Sequence, residues 1–262
     1  MDLGIDGDAA LVTAGTAGLG LASAEALARA GCDVAVCGRD EDRLSRAEAR
    51  LEATGEGEVL GVSADITEHD EIEGFVGKTI QSFGGLDHVV TSAGGPPSGS
   101  FLDTDDDDWY RAYDLLVMSV VRTVRAAHPA IVEDGGGTVV CITSRSVREV
   151  IDELVLSNSV RRGVIGLMKT LSREFAPEVR ANAVLPGAHE TDRIEELVAE
   201  AVERGDYEDY EAGLADWSEG IPLERVGDPA ELGETVAWLS SDHASYVNGT
   251  AVPVDGGSTR SV

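Results

Sequence analysis

Lysine is almost missing from this chain: Lys78 and Lys169 are the only two in 262 residues. Basic residues of both kinds number 20 against 49 Asp and Glu, which leaves a net charge of −29. A polyanion repels other polyanions, so nucleic acid and anionic membrane surfaces are poor partners. Cysteine is scarce too. Cys32, Cys37 and Cys141 are odd in number and lack CxxC spacing, which argues against a disulfide framework or a zinc site and for small buried apolar residues. His69, His88, His128 and His243 are scattered without ligand spacing, so no metal site is expected. Apolar runs fall short of the ~18–20 residues needed to cross a bilayer. The opening Met1-Asp2-Leu3-Gly4 lacks the basic start and apolar stretch of a secretory signal. A cytoplasmic location is the expectation.

Hydrophobic residues make up 42% of the chain, ample for a buried core. Short β-branched runs at 9–14, 33–37, 59–63, 88–92, 138–143, 180–185 and 251–254 predict strands. Helical spacing of apolar residues fills 18–31, 40–53, 68–83, 105–133, 157–176 and 228–241. Strands apolar on both faces and separated by helices imply a parallel sheet covered on both sides, hence a doubly wound α/β fold. No repeat or linker interrupts the rhythm, so residues 1–262 read as one domain. An inserted lid is expected at about 190–222, rich in acids and carrying Tyr207, Tyr210 and Trp217. A solvated acidic excursion is the plainer alternative.

After the first strand comes Thr13-Ala14-Gly15-Thr16-Ala17-Gly18-Leu19-Gly20, opening into a small-residue helix. Glycines let the backbone approach a ligand, and free N–H groups at a helix start attract a diphosphate. These residues resemble the short-chain dehydrogenase/reductase family, whose Thr-Gly-x-x-x-Gly-x-Gly is present with Ala14 in place of the first glycine. Further on, Ser63-Ala64-Asp65-Ile66-Thr67, Thr91-Ser92-Ala93-Gly94, Pro186-Gly187 with Thr191, and Val254-Asp255-Gly256-Gly257 resemble other family segments. The resemblance implies a Rossmann-like fold with a seven-stranded parallel sheet. It also implies a nicotinamide cofactor held by Gly15, Thr16, Gly18, Leu19, Gly20, Asp65, Ile66, Ser92, Ala93, Gly94, Pro186, Gly187 and Thr191. The acid excess with so little lysine resembles proteins of salt-loving archaea, where concentrated cations screen carboxylate repulsion.

The end of the second strand bears on the cofactor. An acid there would bind the ribose 2′-hydroxyl of NAD, but the chain reads Gly38-Arg39-Asp40. A guanidinium forms a charge-assisted pair with a 2′-phosphate, so NADP(H) is expected over NAD(H). The alternative is that Arg39 merely pairs with Asp40 or Glu41.

Family enzymes carry a Ser, a Tyr four residues before a Lys, and an Asn on the preceding helix. Ser144 matches the serine, while Ser157, Arg161 and Leu116 stand at the other three positions. A serine hydroxyl is a far weaker acid than a phenol, and Arg161 stays protonated and cannot relay a proton. The resemblance therefore implies that Ser144 polarises a carbonyl and Arg161 anchors ribose, with Ser157 or water supplying the proton. His189 is a substitute donor on this reading, a solvated lid histidine on the plainer one. Tyr110 and Tyr113 read as packing or interface residues. Arg145 and Arg148 either clamp an anionic substrate or balance Glu149, Asp152 and Glu153. Thr104 is expected to cap a helix whose first turn carries the acids of 105–108. Gly94-Gly95-Pro96-Pro97 reads as a loop beside the cofactor.

The expected function is an NADP(H)-dependent oxidoreductase on a small carbonyl or alcohol, similar to 3-oxoacyl reductases. The rival is an NADP(H)-binding protein without dehydrogenase activity, a sensor or structural subunit. A homotetramer or homodimer through 105–133 and 157–176 is implied, with Val117, Val120, Val121 and Val124 serving either that face or the core.

Overall fold

A computed structural model describes residues 2–261, without the side chain of Arg193. In chain order the elements are β1 (Ala9–Val12), α1 (Gly18–Arg29), β2 (Asp33–Gly38), α2 (Glu41–Thr54), β3 (Val59–Ser63), α3 (His69–Phe83) and β4 (His88–Thr91). Then come α4 (Asp106–Tyr113), a π-helical turn (Asp114–Met118), α5 (Ser119–Glu133), β5 (Gly137–Ile142), α6 (Val155–Glu174) and β6 (Val179–Pro186). The chain closes with α7 (Asp192–Arg204), α8 (Tyr210–Trp217), α9 (Pro229–Ser240) and β7 (Ala251–Val254). The seven strands form one sheet in the order β3-β2-β1-β4-β5-β6-β7, every pair parallel. This is the expected Rossmann-like, doubly wound fold.

Both faces of the sheet are covered because strand side chains alternate between two apolar layers. Leu11, Ala35, Val89, Val139 and Ala181 point to a layer completed by α3, α5 and α6. Ala10, Val12, Val34, Val36, Val90 and Val140 point to the layer under α1, α2 and α9. Small residues let α1 and α9 approach closely; a β-carbon on Gly233 would collide with the Ala22 carbonyl.

Three local expectations are corrected. The first strand ends at Val12 and not at 14, because Ala14 turns to φ +47° and leaves the sheet. The stretch 105–133 is two helices about a π-helical turn, which is one residue wider than an α-turn and rotates α5 relative to α4. Asp105, not Thr104, caps α4, in a reciprocal box with Asp108. The Thr104 hydroxyl instead donates to Phe101 and accepts from the Trp109 indole. Val117, Val120 and Val124 lie in the core, and Val121 packs on it, so these valines serve the fold itself. Taken across the π-turn, the helical stretch Asp106–Glu133 is long and apolar enough to cross a membrane, yet its inner face belongs to that core.

Strand order reverses between β1 and β4, and a crevice opens at such a switch point beyond the carboxyl ends of the strands. Beside it, α7 and α8 form an excursion outside the βα alternation. Its ends are stitched together at the base: Glu190 N–H donates to Gly227 O at 2.8 Å, and Gly227 N–H to Ala188 O at 3.0 Å. Tyr210 on α8 donates its hydroxyl to Glu190 at 2.8 Å. Burial and the Glu190 carboxylate push the Tyr210 phenol up to about 12.

Candidate active site

A cleft of about 620 Å³ runs along the switch point. Its floor is the turn after β1. A β-carbon on Gly20 would collide with the Ala14 carbonyl, so only glycine lets α1 begin so near the strand. Gly18 takes φ +54° and faces Thr191. The α1 N-terminus carries no side-chain cap and no acid in its first turn, while Asp side chains cap α2, α4 and α9. Thr13 ties this turn to β4, donating its hydroxyl to Ser92 O at 2.7 Å and accepting from Ser92 N–H at 2.9 Å. An open helix end over a backbone that leaves no room for side chains fits a diphosphate.

Thr16, Gly18, Leu19 and Gly20 line the cleft, as do Arg39, Asp65, Ile66, Ser92, Ala93, Gly94, Thr191 and Arg161. Gly15 does not. It packs against Val36 and donates to Cys37 O at 3.1 Å, which locks the turn onto β2. Pro186 is buried at the end of β6, and Gly187 packs against Asp255. Neither lines the cleft, and Gly187 N–H bonds to Val254 O.

At the β2 end Arg39 reaches Asp65 at 3.3 Å, not Asp40 or Glu41. Burial alone would raise the Asp65 carboxyl, but bonds from Thr67 N–H and hydroxyl and the Arg39 charge hold it below its ordinary value. Asp40 is occupied in capping α2 through Arg43 N–H at 2.9 Å. Arg43, in the first turn of α2, also lines the cleft. Arg43 belongs to no motif, and its one signal in the sequence is a pair of arginines four positions apart.

At the opposite end Arg161 is 8% exposed. Its guanidinium donates to Thr143 O at 3.2 Å and Gly94 O at 3.3 Å, tying the ends of β5 and β4 together. Its Nε is buried without a partner, and burial pushes the guanidinium down to about 10. Leu116 is buried in the core, so Leu115 is the residue of that turn that reaches the cleft.

Three serines cluster where the chain leaves β5 and enters α6, next to the cleft-lining Thr143 and Arg161. The Ser144 hydroxyl accepts from Ser146 N–H at 3.1 Å, and the Ser146 and Ser157 hydroxyls bond to each other at 3.1 Å. Ser146 is wholly buried and Ser157 is 6% exposed, so the Ser157 hydroxyl is turned toward Ser146. Ser146 has no motif of its own, and nothing in the sequence singles it out.

His189 is not a solvated residue. It is 4% exposed, with Nδ1 at 3.3 Å from Gly187 O. Burial pushes it below its ordinary value, against the opposing pull of the Gly187 carbonyl, Glu231 and Asp228. It lines a second cavity of about 490 Å³ with Arg225, Glu231 and Asp255. Arg145 pairs with Glu149 at 3.8 Å and Arg148 donates to Ala251 O, so both are engaged within the fold. Tyr110 and Tyr113 are exposed, 71% and 51%. The three cysteines are free and buried, and burial raises each thiol, to about 12 for Cys37 and about 11 for Cys141. Among the described residues His69, Asp70 and Glu73 bring one ligand atom each within 4.8 Å, all exposed in the first turns of α3.

Residues 13–259 match the family model described as enoyl-(acyl carrier protein) reductase. The chain is 33% identical over 254 residues to human dehydrogenase/reductase SDR family member 2, covering 96% of this chain and 86% of that one. L-sorbose reductase from Gluconobacter frateurii, solved with NADPH and L-sorbose, superposes with a TM-score of 0.94 at 30% identity over the whole of both chains. A variant of actinorhodin polyketide ketoreductase, solved with NADPH, is 28% identical with a TM-score of 0.88 over 97% of each chain.

Proposed function

The chain belongs to the short-chain dehydrogenase/reductase family, and on that premise we propose that it is an NADP(H)-dependent reductase of small carbonyl compounds, or a dehydrogenase of the matching alcohols. The observation that carries the cofactor choice is the end of β2. There Gly38 stands where an acid would meet a ribose hydroxyl, the neighbouring acids Asp40 and Asp65 are engaged by Arg43 N–H and by Arg39, and Arg39 and Arg43 both line the cleft. Two guanidiniums suit a 2′-phosphate, which accepts charge-assisted bonds from both. The L-sorbose reductase and the polyketide ketoreductase, both solved with NADPH, support the same choice.

When bound, the nicotinamide supplies the hydride. This chain's residues do the rest. The α1 N-terminus and its glycines would hold the diphosphate, Asp65 and Ile66 the adenosine, and Arg161 the ribose of the nicotinamide end. Ser144 accepts from Ser146 N–H through its oxygen, which leaves its hydroxyl proton to donate to a substrate oxygen. With Ser157 and Arg161 at the family's Tyr and Lys positions, the proton comes through the Ser157–Ser146 pair or from water. Turnover is then expected to be slower by ~10²–10⁴ than a tuned general acid allows. The oligomer expected from the family would use the exposed Tyr110 and Tyr113 on α4.

Loss of reduced-nicotinamide absorbance, followed with NADPH and with NADH against a panel of aldehydes, ketones and sugars in concentrated KCl, tests this reading. NADPH should be consumed at least ~10-fold more efficiently than NADH. No consumption with any carbonyl, alongside tight NADPH binding, would favour a dinucleotide-binding sensor or subunit. The inward-turned Ser157 hydroxyl is the observation on that side.

A further inference from the structure

Arg161 is a buried cation without a buried anion. Among the described residues no carboxylate pairs with it, and its only hydrogen-bond partners are the Thr143 and Gly94 carbonyls. Nε finds no acceptor at all. A lone charge taken out of water keeps much of its field, because little around it screens or reorients. That field reaches into the cleft, whose wall Arg161 forms together with Gly94, Ile142 and Thr143.

Position decides what feels it. Arg39, Arg43 and Asp65 mark the adenosine end, and the α1 N-terminus marks the diphosphate. The remaining end, where Arg161 stands, is left for the nicotinamide riboside. This step rests on the cofactor reading above. The oxidised nicotinamide ring carries a formal positive charge; the reduced ring is neutral. A guanidinium is protonated throughout the neutral range, unlike a side chain that could shed its proton when crowded by a second cation.

We propose that Arg161 makes this cleft selective for the reduced cofactor, its unpaired guanidinium repelling the oxidised nicotinamide ring and tolerating the neutral one. Two unit charges within ~10 Å at an effective dielectric constant of ~20 repel by on the order of tenfold in an equilibrium constant. The discrimination is a property of binding and needs no turnover. It holds whether the protein reduces carbonyls or reports on the state of the nicotinamide pool.

Calorimetric titration of the full chain with NADPH, NADP⁺ and adenosine 2′,5′-bisphosphate tests this, in wild type, Arg161→Lys and Arg161→Gln. NADPH should bind wild type about tenfold more tightly than NADP⁺. The lysine variant should keep most of that ratio, and the glutamine variant should bring it within about threefold. The bisphosphate, which has no nicotinamide, should bind all three alike and thereby report that each is folded. Equal affinity of wild type for the two redox states overturns the inference with no variant needed, as does an unchanged ratio in Arg161→Gln. Failure of all three ligands to bind wild type overturns the cofactor reading and this inference with it. Bisphosphate binding with equal NADPH and NADP⁺ affinities overturns the inference alone.

Discussion

The carbonyl of Ala14 fills the space that a β-carbon on Gly20 would need. The two residues form the tightest part of the turn beneath α1, and Ala14 pays for it with φ +47°, a left-handed conformation that glycine adopts without strain. Ala14→Gly should therefore keep the turn and raise stability by up to about 1 kcal/mol, the relieved strain partly offset by a more flexible unfolded chain. Gly20→Ala should lower stability by about 1–3 kcal/mol and abolish cofactor binding. Thermal melts with and without NADPH check both.

Removal of Arg39 or Arg43 acts on binding and hardly on stability. The Arg39–Asp65 pair is solvent-exposed on the arginine side, where such pairs contribute ~0–1 kcal/mol. Arg39→Ala and Arg43→Ala should each weaken NADPH binding by about tenfold and leave NADH nearly unchanged. Asp65→Asn frees Arg39 and removes a nearby negative charge, so NADPH should bind more tightly. Parallel titrations with the two coenzymes measure this.

Ser157→Ala would leave the wholly buried Ser146 hydroxyl unpaired and should lower stability by about 1–3 kcal/mol. The double variant Ser146→Ala/Ser157→Ala should fall well short of the sum of the single changes, since neither hydroxyl is then stranded. A denaturant-based double-mutant cycle reads the coupling.

The buried His189 sets a pH trend. Its folded-state value lies below the unfolded ~6.5, so the unfolded chain binds more protons in the window beneath ~6.5. Its contribution to stability is complete above that value and declines as pH falls through the window. Glu231, Asp228 and Arg225 face the same cavity or act on the ring, and none reverses the sign. His189→Gln should flatten the slope of stability against pH below ~6.5. Chemical denaturation across that range measures the slope.

A net charge of −29 opposes compaction, and monovalent salt screens it. The thermal midpoint should rise between dilute and multimolar KCl, by about 2–4 °C for each kcal/mol of repulsion removed. Scanning calorimetry over a KCl series tests the direction.

The fold was legible because hydrophobic periodicity is a local property. Strands 33–37 and 59–63 match β2 and β3 to within a residue, and the parallel pairing follows from their alternation with helices, while the strand order was supplied by the family resemblance. Features set by distant contacts were not legible. The Arg39 partner, Asp65, lies on another strand's end, and nothing between Gly38 and Glu41 announces it. The same holds for His189, which shares a cavity with residues as distant in sequence as Gly227, Glu231 and Asp255. The break in 105–133 is hidden in the sequence because a π-turn keeps the apolar pattern nearly continuous. Ser157 was readable as a replaced position, but its turn toward Ser146 is a matter of side-chain geometry that no spacing encodes.

The rung joining residues 188–190 to Gly227 makes the segment between them a cassette. Its two ends meet in space before the chain rejoins the domain, so its length and composition can change without shifting the register of β7 against β6. Exchange of that segment would leave the sheet as an invariant chassis.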